Sequence, residues 1–194
     1  QPLLLYRTPE RREQASWKSW GGIQTEDAAA DEVERIAGEL NALRQQADFK
    51  IEILPVKKAK TINELETADV PDHDVRIIYP AAGSGDLLRA SFAGGKNIII
   101  FVRHRSGPVY YWYEALSVRY LETDKTRPDE KMSVHVDDVV VDDAKSLFWR
   151  LRALYAVNNF LDTKIVALGG AWGKYSPEAP EIAAKKYGMN IIDV

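Results

Sequence analysis

The chain has no cysteine. That removes disulfides, thiolate nucleophiles and cysteine-type zinc sites. Long apolar runs are also missing. A bilayer-spanning helix needs about 20 consecutive apolar residues, whereas the run Ile98 to Val102 has only the length of a strand. No signal-peptide pattern is visible. Histidine is scarce: His73, His104 and His135 are the only three. None stands at H-x-x-x-H spacing from another, so no metal centre is expected within this chain. Excess charge of one sign is lacking too, with 26 basic against 29 acidic residues and a net charge of −3. Such a balance offers no field to attract nucleic acid or an anionic membrane. The densest basic group, Arg7, Arg11 and Arg12, is broken by Glu10 and reads as a solvated loop. A G-x-S-x-G elbow, a G-x-G-x-x-G fingerprint and a P-loop are all absent, which weakens hydrolase and nucleotide readings.

What remains is a globular composition, 45% apolar and 28% charged over 194 residues. Apolar strand-like runs alternate with helical patterns. Pro2 to Tyr6 reads as a first strand. Thr25 reads as an N-cap, with Glu26 and Asp27 in the first turn where the helix dipole favours anions. Ala29, Val33, Ile36, Ala37, Leu40 and Leu43 then recur at helical spacing. Lys50 to Leu54 predicts a second strand, Thr61 to Ala68 a short helix, and Val75 to Tyr79 a third strand. Asp86 to Phe92 predicts another short helix. Asn97 to Val102, preceded by Gly94-Gly95, is apolar throughout, as in a parallel strand covered on both faces.

Val109 to Leu121 reads as a helix rich in aromatics, followed by a charged loop from Thr123 to Met132. The run Tyr110 to Tyr113 covers a full helical turn, so part of it is expected to meet another domain or subunit. Ser133 to Val141 contains a strand, and Asp142 to Leu161 a long amphipathic helix capped by Asp142 or Asp143. Its stripe is Ala144, Leu147, Phe148, Leu151, Leu154 and Tyr155. Thr163 to Leu168 reads as a buried strand. Ser176 and Pro177 begin a last helix that Gly188 closes, and Asn190 to Val194 is a final strand.

The alternation predicts an α/β fold, a doubly wound, mostly parallel sheet with helices on both faces. One domain is expected over 1–188. Residues 189–194 form its last strand or the start of a following domain. A first residue that is Gln rather than Met, and a last strand ending at the final residue, are the marks expected of a segment from a longer parent chain.

Open parallel sheets bind ligands beyond the carboxyl ends of their strands, so the loops there are the candidate sites. The first holds Arg7. The second, Ala81 to Asp86, places Gly83, Ser84 and Gly85 where backbone N–H groups face an anion; its bland alternative is a plain strand-to-helix turn. The third, Arg103, His104 and Arg105 ahead of Ser106-Gly107, suits a phosphate, a carboxylate or sugar hydroxyls, against the alternative of a solvated loop. The fourth contains Gly169, Gly170 and Trp172, where glycine permits close backbone approach and the indole either stacks on a sugar ring or covers the sheet edge. The paired acids Asp137-Asp138 and Asp142-Asp143 point to opposite faces of an extended backbone and form no catalytic pair. Ser84 and Ser106 lack an oriented base.

The stretch Lys164-Ile165-Val166-Ala167-Leu168-Gly169-Gly170-Ala171-Trp172, then a capped helix, then Tyr187-Gly188-Met189-Asn190-Ile191-Ile192-Asp193-Val194, resembles the exit from the first domain of the L-fucose/L-arabinose isomerase-like proteins. The order of elements from residue 1 extends the resemblance over most of the chain. It implies a flavodoxin-like, Rossmann-like N-terminal domain of an aldose–ketose isomerase, cytoplasmic and oligomeric, although the Gln1 start leaves export open. It also implies a divalent metal, usually manganese, held by domains that follow this segment. No metal, other cofactor or catalytic residue is assigned to this chain. The implied partners are a small carbohydrate, the following domains and other subunits, with no nucleic acid or membrane. Two alternatives stay open: a stand-alone sugar or phosphosugar binding module without chemistry, and a small enzyme using the Gly83 loop for a nucleotide.

Overall fold

A computed structural model describes residues 1–10, 12–14, 20–68, 72–93, 97–117, 120–121 and 134–194. Arg11, Gly94-Gly95, Ser133 and the charged loop expected at 123–132 lie outside the described residues. The elements in chain order are β1 (Pro2–Leu5), α1 (Glu26–Gln46), β2 (Lys57–Ala59), α2 (Ile62–Ala68), β3 (Arg76–Pro80), α3 (Gly85–Ser91), β4 (Ile98–Val102), α4 (Trp112–Ala115), β5 (Val139–Val141), α5 (Ala144–Phe160), β6 (Lys164–Ala167), α6 (Ala179–Tyr187) and β7 (Asn190–Asp193). A single 3₁₀ turn, Val136–Asp138, precedes β5. The chain divides into two compact units, Gln1–Leu147 and Phe148–Val194.

The first unit is a five-stranded sheet in the order β2-β1-β3-β4-β5, and every pairing in it is parallel. Helices flank it, so the α/β doubly wound fold expected from the alternation is the fold observed. Its strand order is the flavodoxin-like one. The three central strands are buried at every position. Leu4, Ile78 and Ile100 are wholly inaccessible, and Ile78 lies in register with Leu3 on one side and Ile100 on the other. Unbroken apolar runs are what two covered faces demand. Helix α1 starts where the capping signal places it: the Thr25 hydroxyl accepts from the Ala28 N–H. Arg76 opens β3, and its guanidinium donates to the carbonyls of Ser91 and Ala93, closing the C-terminal end of α3.

Two expectations for this unit change. The second strand is not at 50–54 but at Lys57–Ala59, beyond Pro55. At a sheet edge the partner decides, and the segment in register with Leu3–Leu5 is the lysine-rich one. The aromatic helix expected over 109–121 is observed as one turn, Trp112–Ala115, which ends where Leu116 turns extended (ψ 117°). The Tyr110 N–H bonds to the Arg103 carbonyl (3.0 Å) and the Tyr111 N–H to the Ala81 carbonyl (2.8 Å). The aromatic run is therefore distributed: Tyr110 and Trp112 are buried while Tyr113 is 38% exposed. The cap expected at Asp142 or Asp143 is found at Asp143, which accepts from the N–H groups of Lys145 and Ser146.

The second unit contains β6 and β7, which pair in parallel with each other, Ile165 opposite Ile191. Here the expected buried strand at 163–168 is exposed. Val166 is 58% accessible, since a two-stranded ribbon leaves most of its surface uncovered. Helix α6 begins at Ala179, three residues after Ser176, with Pro180 in its first turn. Gly188 ends it in the left-handed conformation, φ 66°.

The contrast between the two units gives a direct check. Ile78→Ala should lower stability by about 2–5 kcal/mol, the usual cost of emptying a packed site. Val166→Ala should stay within about 0.5 kcal/mol, as for other surface changes. Urea denaturation of both variants measures this, and equal losses would contradict the placement of the core.

Candidate functional site

In the first unit β1 lies between β2 and β3, so the segments leaving β1 and β3 depart on opposite courses. Such a switch point leaves a crevice beyond the carboxyl ends of the two strands. A cavity of about 250 Å³ occupies that place, lined by Arg7, Pro9, Trp20, Ile23, Gln24, Ala82, Gly83 and Tyr111. Arg7 and Pro9 follow β1, Ala82 and Gly83 follow β3, and Trp20, Ile23 and Gln24 lead into α1. The rings of Trp20 and Tyr111 meet edge to face at 6.0 Å and 70°. Trp20 is 38% exposed. Among the described residues no carboxylate lines the cavity, and no acidic side chain forms an ion pair with Arg7.

Two glycines make this arrangement possible. Gly21 has φ 102°, and the Gly22 N–H bonds to the Val109 carbonyl (2.7 Å). A Cβ on Gly22 would stand 2.7 Å from Pro108 Cβ. The segment before α1 is thus laid directly against 108–111, which in turn is bonded to Ala81 at the end of β3.

Of the expected site residues, Arg7 and Gly83 come together here. Ser84 and Gly85 do not line the cavity. The Ser84 hydroxyl caps α3 by accepting from the Leu87 N–H (3.1 Å). Gly85 makes room for Tyr120, whose hydroxyl would stand 2.6 Å from a Cβ there. Gly169, Gly170 and Trp172 belong to the second unit, where both glycines have positive φ, 84° and 94°. Their turn ties β6 to β7 through Gly169 N–H to the Val194 carbonyl (2.9 Å) and Ala171 N–H to the Asp193 carboxylate (2.8 Å). Trp172 is 72% exposed.

The Arg103 loop is occupied from within. Arg103 is completely buried. Its Nε donates to Glu32 (2.6 Å), its Nη2 to Glu39 (2.8 Å), and its Nη1 to Glu39 and to Ser106. The Tyr110 hydroxyl also donates to Glu32, at 2.5 Å. Burial works against the guanidinium charge, but Glu39, Tyr110 and Glu32 outweigh it and raise the Arg103 pKa. Burial, then Glu32, raises that of Tyr110. Gly107 lets the chain cross this side chain, since a Cβ there would meet Arg103 Cδ at 2.8 Å.

The backbone of the same loop is also engaged. The N–H groups of His104, Arg105 and Ser106 and the Ser106 hydroxyl all donate to the Asp142 carboxylate, at 2.7–2.9 Å. Asp142 adopts φ 55° to reach them. The anion for this concave run of donors is therefore supplied by the chain itself. Partial burial disfavours the Asp142 carboxylate, but the donors from His104, Ser106 and Arg105 prevail and hold its pKa at about 2. The His104 ring stacks on Tyr113 at 4.1 Å, and the Arg105 side chain is exposed.

Sequence reasoning missed Trp20, Gln24 and Tyr111 at the cavity, and Glu32, Glu39 and Asp142 as internal partners. Signals for three of these were present. Trp20 sits in a polar stretch just before a Gly-Gly pair. Glu32 and Glu39 stand seven residues apart, on one face of α1, and Glu32 falls among its buried positions with Ala29, Ile36 and Leu40. Among the described residues no three His, Cys, Asp or Glu side chains are grouped to hold a metal ion. The resemblance assigns its divalent ion to domains that follow this segment.

Two measurements follow. Arg103→Ala should cost about 3–5 kcal/mol, because it strands buried carboxylates, while Arg105→Ala should stay within about 0.5 kcal/mol; melting temperatures of the two variants distinguish them. Asp142 is held below its ordinary 3.8 in the folded chain, so its stabilising contribution is complete above about pH 4 and fades as the pH falls toward 2. Asp142→Asn should flatten the decline of stability in that window, measured by denaturation at pH 5 and pH 3. A variant with the wild-type slope would refute this role.

No family model matches the chain, and neither a curated protein nor a solved structure matches it significantly.

Proposed function

We propose that the switch-point cavity binds a monosaccharide and that the chain is the N-terminal, non-catalytic part of an aldose–ketose isomerase-like protein. The observation carrying the sugar reading is the cavity lining. Two aromatic rings offer faces and edges to the apolar side of a sugar ring. Arg7 and Gln24 bring polar groups to the same cavity, beside Gly83. A cavity of this size suits one small ring better than a dinucleotide. The isomerase setting rests on the resemblance of 164–194 and on the element order. The divalent metal, the following domains and the oligomer are parts of that setting.

One observation favours the second reading, a phosphosugar-binding module without chemistry. Arg7 is cationic, exposed and without an acidic partner among the described residues, in a cavity lined by no carboxylate. A guanidinium so placed suits an anionic substituent.

Titration with L-fucose, L-arabinose and D-ribose 5-phosphate, followed by amide and indole NMR shifts, tests both. The sugar reading expects saturable shifts at Trp20, Gly83 and Tyr111. Trp20→Ala should weaken binding by tenfold or more, the loss of about 1.5 kcal/mol of ring contact. Arg7→Ala should cost about tenfold for the phosphosugar and little for the neutral sugars. Absence of any shift at these residues with all three compounds would refute the proposal.

A further inference from the structure

We infer that the buried Glu32–Tyr110–Arg103 cluster is a positioning device for the aromatic wall of the switch-point cavity. The inference rests on the reading of that cavity as the binding site, but its central measurement needs no ligand. Tyr111 forms part of the wall and meets Trp20 edge to face. Its backbone N–H is fixed to Ala81 (2.8 Å), and the preceding Tyr110 N–H to Arg103 (3.0 Å). Tyr110 is wholly buried, and its hydroxyl is anchored on Glu32 while also accepting from Arg103 Nε at 3.3 Å.

Glu32 belongs to α1, the helix whose leading segment carries Trp20, Ile23 and Gln24. Arg103 follows β4. One carboxylate therefore joins three parts of the chain: the helix behind Trp20, the exit of β4, and the segment that ends in Tyr111. The Gly22 N–H bond to Val109 closes the circuit on the other side of the cavity.

The chemistry suits positioning better than simple stabilisation. A well-packed apolar cluster of the same volume is often at least as stable as a buried ion pair. Hydrogen bonds add what apolar contacts lack, a fixed direction. Glu32 accepts from Arg103 Nε, Arg35 Nε and the Tyr110 hydroxyl, so its carboxylate is held from three sides. Glu39 is different: it meets only the outer edge of the Arg103 guanidinium and is itself 39% exposed.

Tyr110→Phe tests the device, since it removes one hydroxyl and keeps the ring. Native-state hydrogen exchange is the readout. The amides of Tyr111 and Gly22 should exchange about tenfold faster, as for local loosening, while the sheet amides of Ile77 and Arg76 stay within about twofold. Glu32→Gln, which keeps the shape of the acceptor, should give the same pattern. Glu39→Gln should leave Tyr111 and Gly22 at wild-type rates. Uniform acceleration at all four amides would reduce the cluster to global stability and overturn the inference, as would unchanged rates in Tyr110→Phe and Glu32→Gln or faster Tyr111 exchange in Glu39→Gln. In a wild-type chain that binds L-fucose, Tyr110→Phe should also weaken that sugar several-fold at an unchanged sheet exchange rate. A wild-type chain that binds no sugar refutes the function proposed above, and the exchange pattern still decides the positioning role.

Discussion

The parallel pairing of β1 with both β2 and β3 is the constraint from which the site follows. Leu3 to Leu5 are buried and bonded on both sides. The chain must therefore leave β1 toward one edge of the sheet and return past it to reach β3. That reversal opens the crevice, and no other neighbouring pair in the order β2-β1-β3-β4-β5 has it. Arg7 enters the crevice because it is the second residue past β1, and Gly83 because it is the third past β3. The side chains there are thus chosen by topology before their chemistry matters.

The exit of β4 shows how a similar position can be turned inward. Arg103 follows β4 directly, as Tyr6 follows β1. Glu32 and Glu39 reach it from α1, and Asp142 reaches the backbone behind it. The Arg103 guanidinium and the N–H groups of 104–106 have internal partners there, which is the condition for burying a charge at tolerable cost. A loop whose guanidinium is buried and whose N–H groups are filled by an internal carboxylate has little left to offer a ligand. Its contribution passes instead through Tyr110 to the neighbouring Tyr111.

How far the sequence disclosed this depended on whether a local signal or a distant partner set the outcome. The Thr25 cap, the unbroken apolar run ending at Val102 and the Gly188 stop are local, and each is found where the residues placed it. The alternation of these elements sufficed for the doubly wound class. The 109–121 helix is cut short where Leu116 turns extended, while its start is held by Ala81 and Arg103, both distant in sequence. The strand at 163–168 had the right residues, but its pairing with β7 alone leaves it exposed, which periodicity cannot register. For the site, strand ends were legible and the direction of side chains was not. Arg7 and Arg103 look alike as sequence; only the carboxylates contributed by α1 separate them.

That separation also bears on what the crevice admits. Glu32 and Glu39 are committed to Arg103, and Asp142 to the loop behind it. Glu26, at the start of α1, is likewise engaged by the Tyr6 hydroxyl, Lys58 and Lys60. Glu26, Glu32, Glu39 and Asp142 are thereby engaged elsewhere, and Lys58 and Lys60 with Glu26. Among the described residues Arg7 is left as the one charged side chain in the lining. An anion or a neutral polar ring meets no repulsion there, whereas a cation meets an unopposed guanidinium. If the proposed reading holds, the internal ion pairs would act on ligand choice without touching the ligand, by leaving one charge among the described residues of the lining.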